Sequence, residues 1–274
     1  MGSNPNIISK LPDAGTSIFA VMSKMANEYK AINLSQGFPD FNCSEELVDL
    51  VHHFMKNNFN QYAPMPGTID LRKQISHKVN RDYGHYYDAE KEITVTAGAT
   101  QALYTAFSAI INNGDEVIIF EPAYDSYIPA ILANGGIPIS IKLSADDFSI
   151  PWNEVEKAIT KNTKCIVINS PHNPTGAILN VSDILQLQQI VKNTNIFLIS
   201  DEVYEHIIFD NQEHCSFARY DELAKRSFII SSFGKTFHAT GWKVGYVVAP
   251  AYLTEEVRKA HQFIVFSVNT PIQL

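Results

Sequence analysis

The chain has 274 residues, 45% of them hydrophobic, and 29 acidic against 21 basic side chains leave a net charge of −8. That length can bury a substantial core in one large domain, or in a large domain with a small appendage. The acidic balance, without long runs of either sign, gives no reason to expect nucleic acid or an anionic membrane as partner. The three cysteines, Cys43, Cys165 and Cys215, are too few for a disulfide framework and lack metal-ligand spacing. The stretch Met1 to Lys10 is polar and no window reaches the apolar length of a membrane span, so a cytoplasmic protein is expected.

Residues 1–44 read as an irregular arm, because Pro5, Pro12, Gly15, Gly37 and Pro39 interrupt it, with one helical candidate from Ser17 to Tyr29. Ser44-Glu45-Glu46-Leu47 resembles a helix start, and Leu47, Leu50, Val51 and Phe54 supply an apolar stripe. A proline-rich loop, Asn60 to Gly67, carries Tyr62 and leads to a second amphipathic helix, Thr68 to Tyr83. From Glu92 onward apolar strand-like runs follow at Ile93–Thr96, Val117–Phe120, Ile137–Leu143, Cys165–Asn169, Ile196–Ser200, Phe228–Ser231 and Val244–Ala249. Helical segments alternate with them at Ala99–Ile111, Ser126–Ala133, Trp152–Thr160, Ser182–Val191 and Leu253–Phe266. The alternation implies an α/β fold with a mostly parallel, doubly wound sheet, and an active site beyond the strand C-termini. The arm (1–44) and one large domain (45–274) are the expected organisation.

Chemistry-bearing residues cluster at the ends of those strands. Thr96-Ala97-Gly98-Ala99-Thr100 is a strand-to-helix turn whose free N–H groups suit an anion, although it lacks the glycine patterns of nucleotide-binding loops and a plain turn explains it equally well. Glu121-Pro122-Ala123-Tyr124 puts an aromatic ring after a strand. Ser170-Pro171-His172-Asn173-Pro174-Thr175-Gly176 is a loop stiffened by two prolines that aims the Asn173 amide. Asp201, directly after a buried strand and followed by Tyr204, needs a cationic partner to offset its burial. Ser231-Ser232-Phe233-Gly234-Lys235 delivers a lysine at a strand end, where a positioned amine can form an imine. A phosphate turn, a stacking aromatic, an acid and a lysine together form the requirement set of pyridoxal 5′-phosphate. No metal site is expected: His52 and His53 diverge on a helix, and His172, His206 and His238 have no ligand spacing.

The Asn-Pro loop, Ser200-Asp201-Glu202-Val203-Tyr204 and Ser231-Ser232-Phe233-Gly234-Lys235-Thr236 resemble, in order and spacing, the fold-type I aminotransferases of class I/II over essentially the whole chain. The arm, Leu11-Pro12-Asp13-Ala14-Gly15-Thr16 through Leu34 to Asp40, is similar to the branch with methionine and kynurenine/glutamine aminotransferases. The resemblance implies a three-layer α/β/α large domain with a mostly parallel seven-stranded sheet. It makes Lys235 the Schiff-base lysine and proton shuttle, and Asp201 the partner of the pyridine nitrogen. Asn173 and Tyr204 would bind the phenolic oxygen and Tyr124 would stack on the ring. Gly98, Ala99, Thr100, Ser232 and Lys243 would hold the phosphate, and Tyr62 would reach the phosphate of a neighbouring subunit in a homodimer with shared sites. Gly37 and Asn173 would lie by the substrate carboxylate, and Ile18 near its side chain. The expected reaction is ping-pong transfer of an amino group from methionine, an aromatic amino acid or glutamine to a 2-oxo acid. Cis peptides are expected at Glu121-Pro122 and Asn173-Pro174.

Two departures stand out. Most relatives carry arginine at the position of Lys243, which cannot form a bidentate fork with phosphate. The family also continues into a small C-terminal domain that supplies the arginine for the substrate carboxylate, and no counterpart follows Leu274, so the chain is expected to be either a fragment of a longer enzyme or a truncated product with impaired activity. A pyridoxal phosphate-dependent C–S β-lyase and an inactive cofactor-binding fragment are the alternatives.

Overall fold

The computed structural model describes residues 8–37 and 41–274. Phe38, Pro39 and Asp40 of the arm motif, and Pro5 before it, lie outside the described residues.

Seven strands, β1 (Ile93–Thr96), β2 (Glu116–Glu121), β3 (Ile137–Lys142), β4 (Thr163–Asn169), β5 (Phe197–Asp201), β6 (Ser227–Ser232) and β7 (Gly245–Val248), form one sheet in the order β1-β7-β6-β5-β4-β2-β3. All neighbouring pairs from β6 to β3 are parallel, and β7 runs antiparallel to both β1 and β6. The strands read as continuous apolar runs because both faces of the sheet are covered. On one face Ile118, Ile166, Leu198 and Ile229 meet Ile75 and Val79 of α3 (Ile69–Tyr83), Trp152 and Val155 of α6 (Trp152–Ala158), and Ile184 and Leu187 of α7 (Val181–Val191). On the other, Val117, Ile119, Val167, Ile199 and Ile230 meet Leu103 and Phe107 of α4 (Ala99–Ile110), Ile131 of α5 (Tyr127–Ala133), and Leu253 and Val257 of α10 (Ala251–Ile264). The period of two along each strand thus divides one apolar run between two cores, and the result is the expected three-layer α/β/α architecture.

The departure from parallel order has a local cause. Between β6 and β7 there is room only for the four-residue α9 (Phe233–Thr236) and a 3-10 turn, Thr240–Trp242. That is too little helix to carry the chain across a face of the sheet, so β7 returns beside the strand it left. Another short helix, α8 (Asp221–Ala224), has no apolar period long enough to read in advance, whereas α11 (Thr270–Gln273) starts where Asn269-Thr270-Pro271 reads as a helix start in the sequence.

In the arm, α1 (Ile18–Tyr29) is capped by Ser17, whose hydroxyl accepts from the Ala20 N–H at 3.3 Å. Neither α1 nor α2 (Glu45–Lys56) buries a residue. The stripe Leu47, Leu50, Val51 and Phe54 is present and only partly covered: Leu47, Val51 and Phe54 are half-buried, and Leu50 is 46% exposed. Glu121-Pro122 and Asn173-Pro174 are cis, and so is Ser170-Pro171.

Candidate active site

The C-terminal ends of the parallel strands open into a cavity of about 650 Å³. Twelve of the thirteen residues named from the sequence line it: Ile18, Gly37, Gly98, Ala99, Thr100, Tyr124, Asn173, Asp201, Tyr204, Ser232, Lys235 and Lys243. The thirteenth, Tyr62, stands apart, 80% exposed and edge-on to Phe266 at 5.2 Å. A second cavity of about 370 Å³ is walled by Tyr127, Asn169 and His172 and contains neither lysine nor Asp201.

One end of the larger cavity is built for an anion. Gly98 takes φ 80° and starts α4, so the first N–H groups of a twelve-residue helix lie at the cavity wall without intrahelical acceptors. Lys243 sits in the left-handed region, φ 54° and ψ 55°, and folds its side chain over that turn. A β-carbon on Gly98 would lie 3.3 Å from both Cε and Nζ of Lys243, so the glycine is what lets the amine approach. Gly245 serves the same contact from the other side: a β-carbon there would lie 2.8 Å from the Ser231 carbonyl and 3.0 Å from the Ala99 nitrogen. Thr100 and Tyr124 are joined through their hydroxyls at 3.1 Å.

The other groups occupy the middle. Lys235 projects from α9, hydrogen-bonds the Gly37 carbonyl of the arm and lies 5.5 Å above the centre of the Tyr204 ring. Burial lowers the pKa of its amine, favouring the neutral form. Gly37 is a point of close backbone approach, since a β-carbon would sit 3.4 Å from Lys235 Nζ and 3.9 Å from the Tyr204 hydroxyl.

Asp201 closes β5 and is 4% exposed. Among the described residues no cation pairs with it. The hydroxyl of Tyr127 donates to its Oδ2 at 2.6 Å and the Val203 N–H to its Oδ1 at 3.3 Å. Burial pushes its carboxyl up to about 6, against the pull of those two donors. Burial, then the nearby Asp201, likewise raises the Tyr204 phenol. The Asn-Pro loop is tied to this acid by Asn169, which donates to the Asp201 carbonyl at 2.9 Å and accepts the Asn173 N–H at 2.7 Å.

A second buried acid, Glu205, braces the site from behind. It accepts from Lys78 and Tyr83 of α3, from Ser231 of β6 at 2.7 Å and from Tyr246 of β7 at 3.3 Å. Burial pushes its carboxyl up, and Lys78 with the hydroxyl donors more than offsets this, leaving it below the usual glutamate range. The sequence reading does not name Tyr127, Asn169, Phe19 or Glu205. Asn169 alone carried a signal, as the last residue of an expected strand.

The donor set fits pyridoxal 5′-phosphate: an amine biased to its neutral form, a buried carboxyl without a cation, and an anion cradle closed by a lysine. Nothing in it requires a group the cavity does not hold.

The profile of the family "Aminotransferase class I and II" matches residues 29–274. A methionine aminotransferase of Escherichia coli is 50% identical over all of this chain, which covers 71% of that relative. A kynurenine–oxoglutarate transaminase of Dictyostelium discoideum is 38% identical over 94% of this chain, which covers 64% of its length. Among solved structures, an E. coli methionine aminotransferase superposes with a TM-score of 0.95 at 48% identity, over 98% of this chain and 70% of that one. These relatives favour amino-group transfer over the lyase alternative. With a family profile over most of its length and a half-identical relative, the chain belongs to the class I and II aminotransferases, enzymes that depend on pyridoxal phosphate.

Proposed function

We propose that the chain transfers the amino group of an amino acid with an uncharged side chain, methionine, an aromatic residue or glutamine, to a 2-oxo acid by a ping-pong mechanism centred on Lys235. The observation that carries the reading is Asp201: a carboxyl buried to 4% exposure without a cation, in the cavity that holds the Lys235 amine. When bound, pyridoxal phosphate supplies an aldehyde for an amine and a ring that accepts the electron pair left as the substrate Cα loses its proton.

The protein's part is orientation and proton handling. Asp201 would hold the proton of the pyridine nitrogen, and Asn173 and Tyr204 would hydrogen-bond the phenolic oxygen. Tyr124 would lie on the ring face. The Gly98-Ala99-Thr100 turn, Ser232 and Lys243 would neutralise the phosphate. Lys235, half-buried and lowered in pKa, would be free to take the Cα proton as base and return it on the other side of the transfer. Gly37 would leave room for the substrate carboxylate. Ile18, with Phe19 and Leu34, gives the cavity an apolar part of its lining, which supports a neutral donor, as does the name of the half-identical methionine aminotransferase.

A homodimer is part of the same reading. The arm exposes Tyr29 by 77%, Ile32 by 86% and Leu34 by 89%, and Tyr62 and Phe263 are 80% and 86% exposed, an apolar surface that a second copy would cover. A cytoplasmic setting belongs to the same proposal; no helix of the described residues is long and apolar enough to cross a membrane.

The test is Lys235→Ala. Loss of the visible absorbance given by added cofactor, together with loss of 2-oxo-acid-dependent amino transfer from methionine, is the expected result. Retention of both by the variant, or release of pyruvate and ammonia by the native protein from an amino acid with sulfur on its β-carbon, such as cystathionine, without an acceptor acid, would overturn the proposal.

A further inference from the structure

We propose that Tyr127 is a positioning residue of the cofactor site, acting through its hydroxyl to fix the Asp201 carboxylate in the orientation and charge state that the pyridine nitrogen needs. The inference rests on reading the cavity as a pyridoxal phosphate site and adds a residue to which no role in that site is assigned.

Tyr127 opens α5, and its N–H donates to the Tyr124 carbonyl at 3.2 Å, closing the turn that carries both tyrosines. The two rings meet edge to face, 5.6 Å apart at 84°. Tyr127 is 3% exposed, and its hydroxyl meets Asp201 Oδ2, at the end of β5, at 2.6 Å. At that length the bond is of the charge-assisted kind, a phenol donating to a carboxylate. The remaining polar contact of the carboxylate, the Val203 N–H at 3.3 Å, is long and weak. Tyr127 is therefore the side chain that decides where the acid points.

It also decides the charge. The titratable groups acting with Asp201 are Tyr127 from α5, and Glu202 and Tyr204 from the segment after β5, with Tyr124 next to both tyrosines. None is a cation, and Glu202 disfavours a second negative charge. Asn169 meets only the Asp201 backbone. Against burial, the Tyr127 hydroxyl is thus the main contact that stabilises the ionised acid. Burial and Asp201 hold the phenol proton in place far above the working range of pH, so the donor persists wherever the enzyme operates.

The experiment uses the holoprotein loaded with pyridoxal 5′-phosphate labelled with ¹⁵N in the ring, in the native form and as Tyr127→Phe, Asp201→Asn and the double variant. In Tyr127→Phe the ring-nitrogen resonance is expected to move toward its unprotonated position, and cofactor release to quicken about ten-fold, the size of one charge-assisted hydrogen bond. In the double variant release should match Asp201→Asn alone to within about two-fold, because the two residues act in series. Replacing Tyr127 by 3-fluorotyrosine keeps the shape and strengthens the donor, and should move the resonance the opposite way even where the phenylalanine variant fails to fold. A resonance that ignores both changes, or losses that add in the double variant, overturns the role of Tyr127. Failure of the native protein to take up pyridoxal 5′-phosphate overturns the site reading itself.

Discussion

At the scale of single residues the decisive feature is a carboxyl whose burial no cation among the described residues neutralises. Asp201 has its pKa raised from 3.8 to about 6, so between those values the folded state binds the proton that the unfolded chain has released. Its contribution to stability is therefore fullest at low pH and falls as pH rises through that window, by up to about 3 kcal/mol. Cofactor-free protein should accordingly melt higher near pH 5 than near pH 7.5, and Asp201→Asn should shrink that difference, as followed by calorimetry. An identical difference in both proteins would count against the buried, unpaired acid. Asp201 was legible because an acid directly after an apolar strand breaks the pattern, and Lys235 because glycine follows the strand before it. Tyr127 was not. It opens a helix whose following residues are mostly apolar, and the partner that gives it meaning lies 74 positions along the chain.

At the scale of elements the strands and longer helices were readable to within one or two residues, since two-sided burial writes continuous apolar runs and helices write a 3.6-residue period. What the pattern does not encode is direction. The turn-back of β7 follows from how little helix lies between Ser232 and Gly245, a matter of chain geometry rather than of hydropathy. Packing at this junction is tight enough to test. Gly245→Ala would force a methyl within 2.8 Å of the Ser231 carbonyl and 3.0 Å of the Ala99 nitrogen, so β7 and the start of α4 must move apart. The expected outcome is a loss of about 1–3 kcal/mol in stability, read by urea unfolding, with a larger proportional loss of affinity for pyridoxal phosphate than for pyridoxal, which has no phosphate to place. Equal losses for the two ligands would mean that the junction does not shape the anion site. The apolar stripe of α2 was also legible, but what covers it was not, since a sequence marks an apolar face without naming its partner.

At the scale of the molecule the exposed apolar arm and Tyr62 argue that a site is completed by a second copy. If so, mixing Lys235→Ala with Tyr62→Ala chains after subunit exchange should restore activity. In a hybrid dimer one site carries both defects and the other neither, giving about a quarter of native activity at equal mixing. Two inactive proteins that stay inactive when mixed, although exchange is shown by tagged chains, would place Tyr62 outside the neighbour's site. Sedimentation of the native protein as a monomer at micromolar concentration would say the same.

The β6–β7 junction has one more implication. The chain leaves the sheet after Ser232, presents Lys235, presents Lys243 and re-enters at Gly245, which is paired in register with Ser232. Both amines thus hang from a single closed hairpin whose feet are pinned to each other. Such a hairpin works as a caliper: its jaws are two lysine side chains, and their opening is set by the number of residues in between. Molecules are admitted by the distance between their aldehyde end and their anionic end as much as by either end alone. Substitutions along the hairpin can retune the grip of each jaw, but an inserted or deleted residue would regrade the instrument.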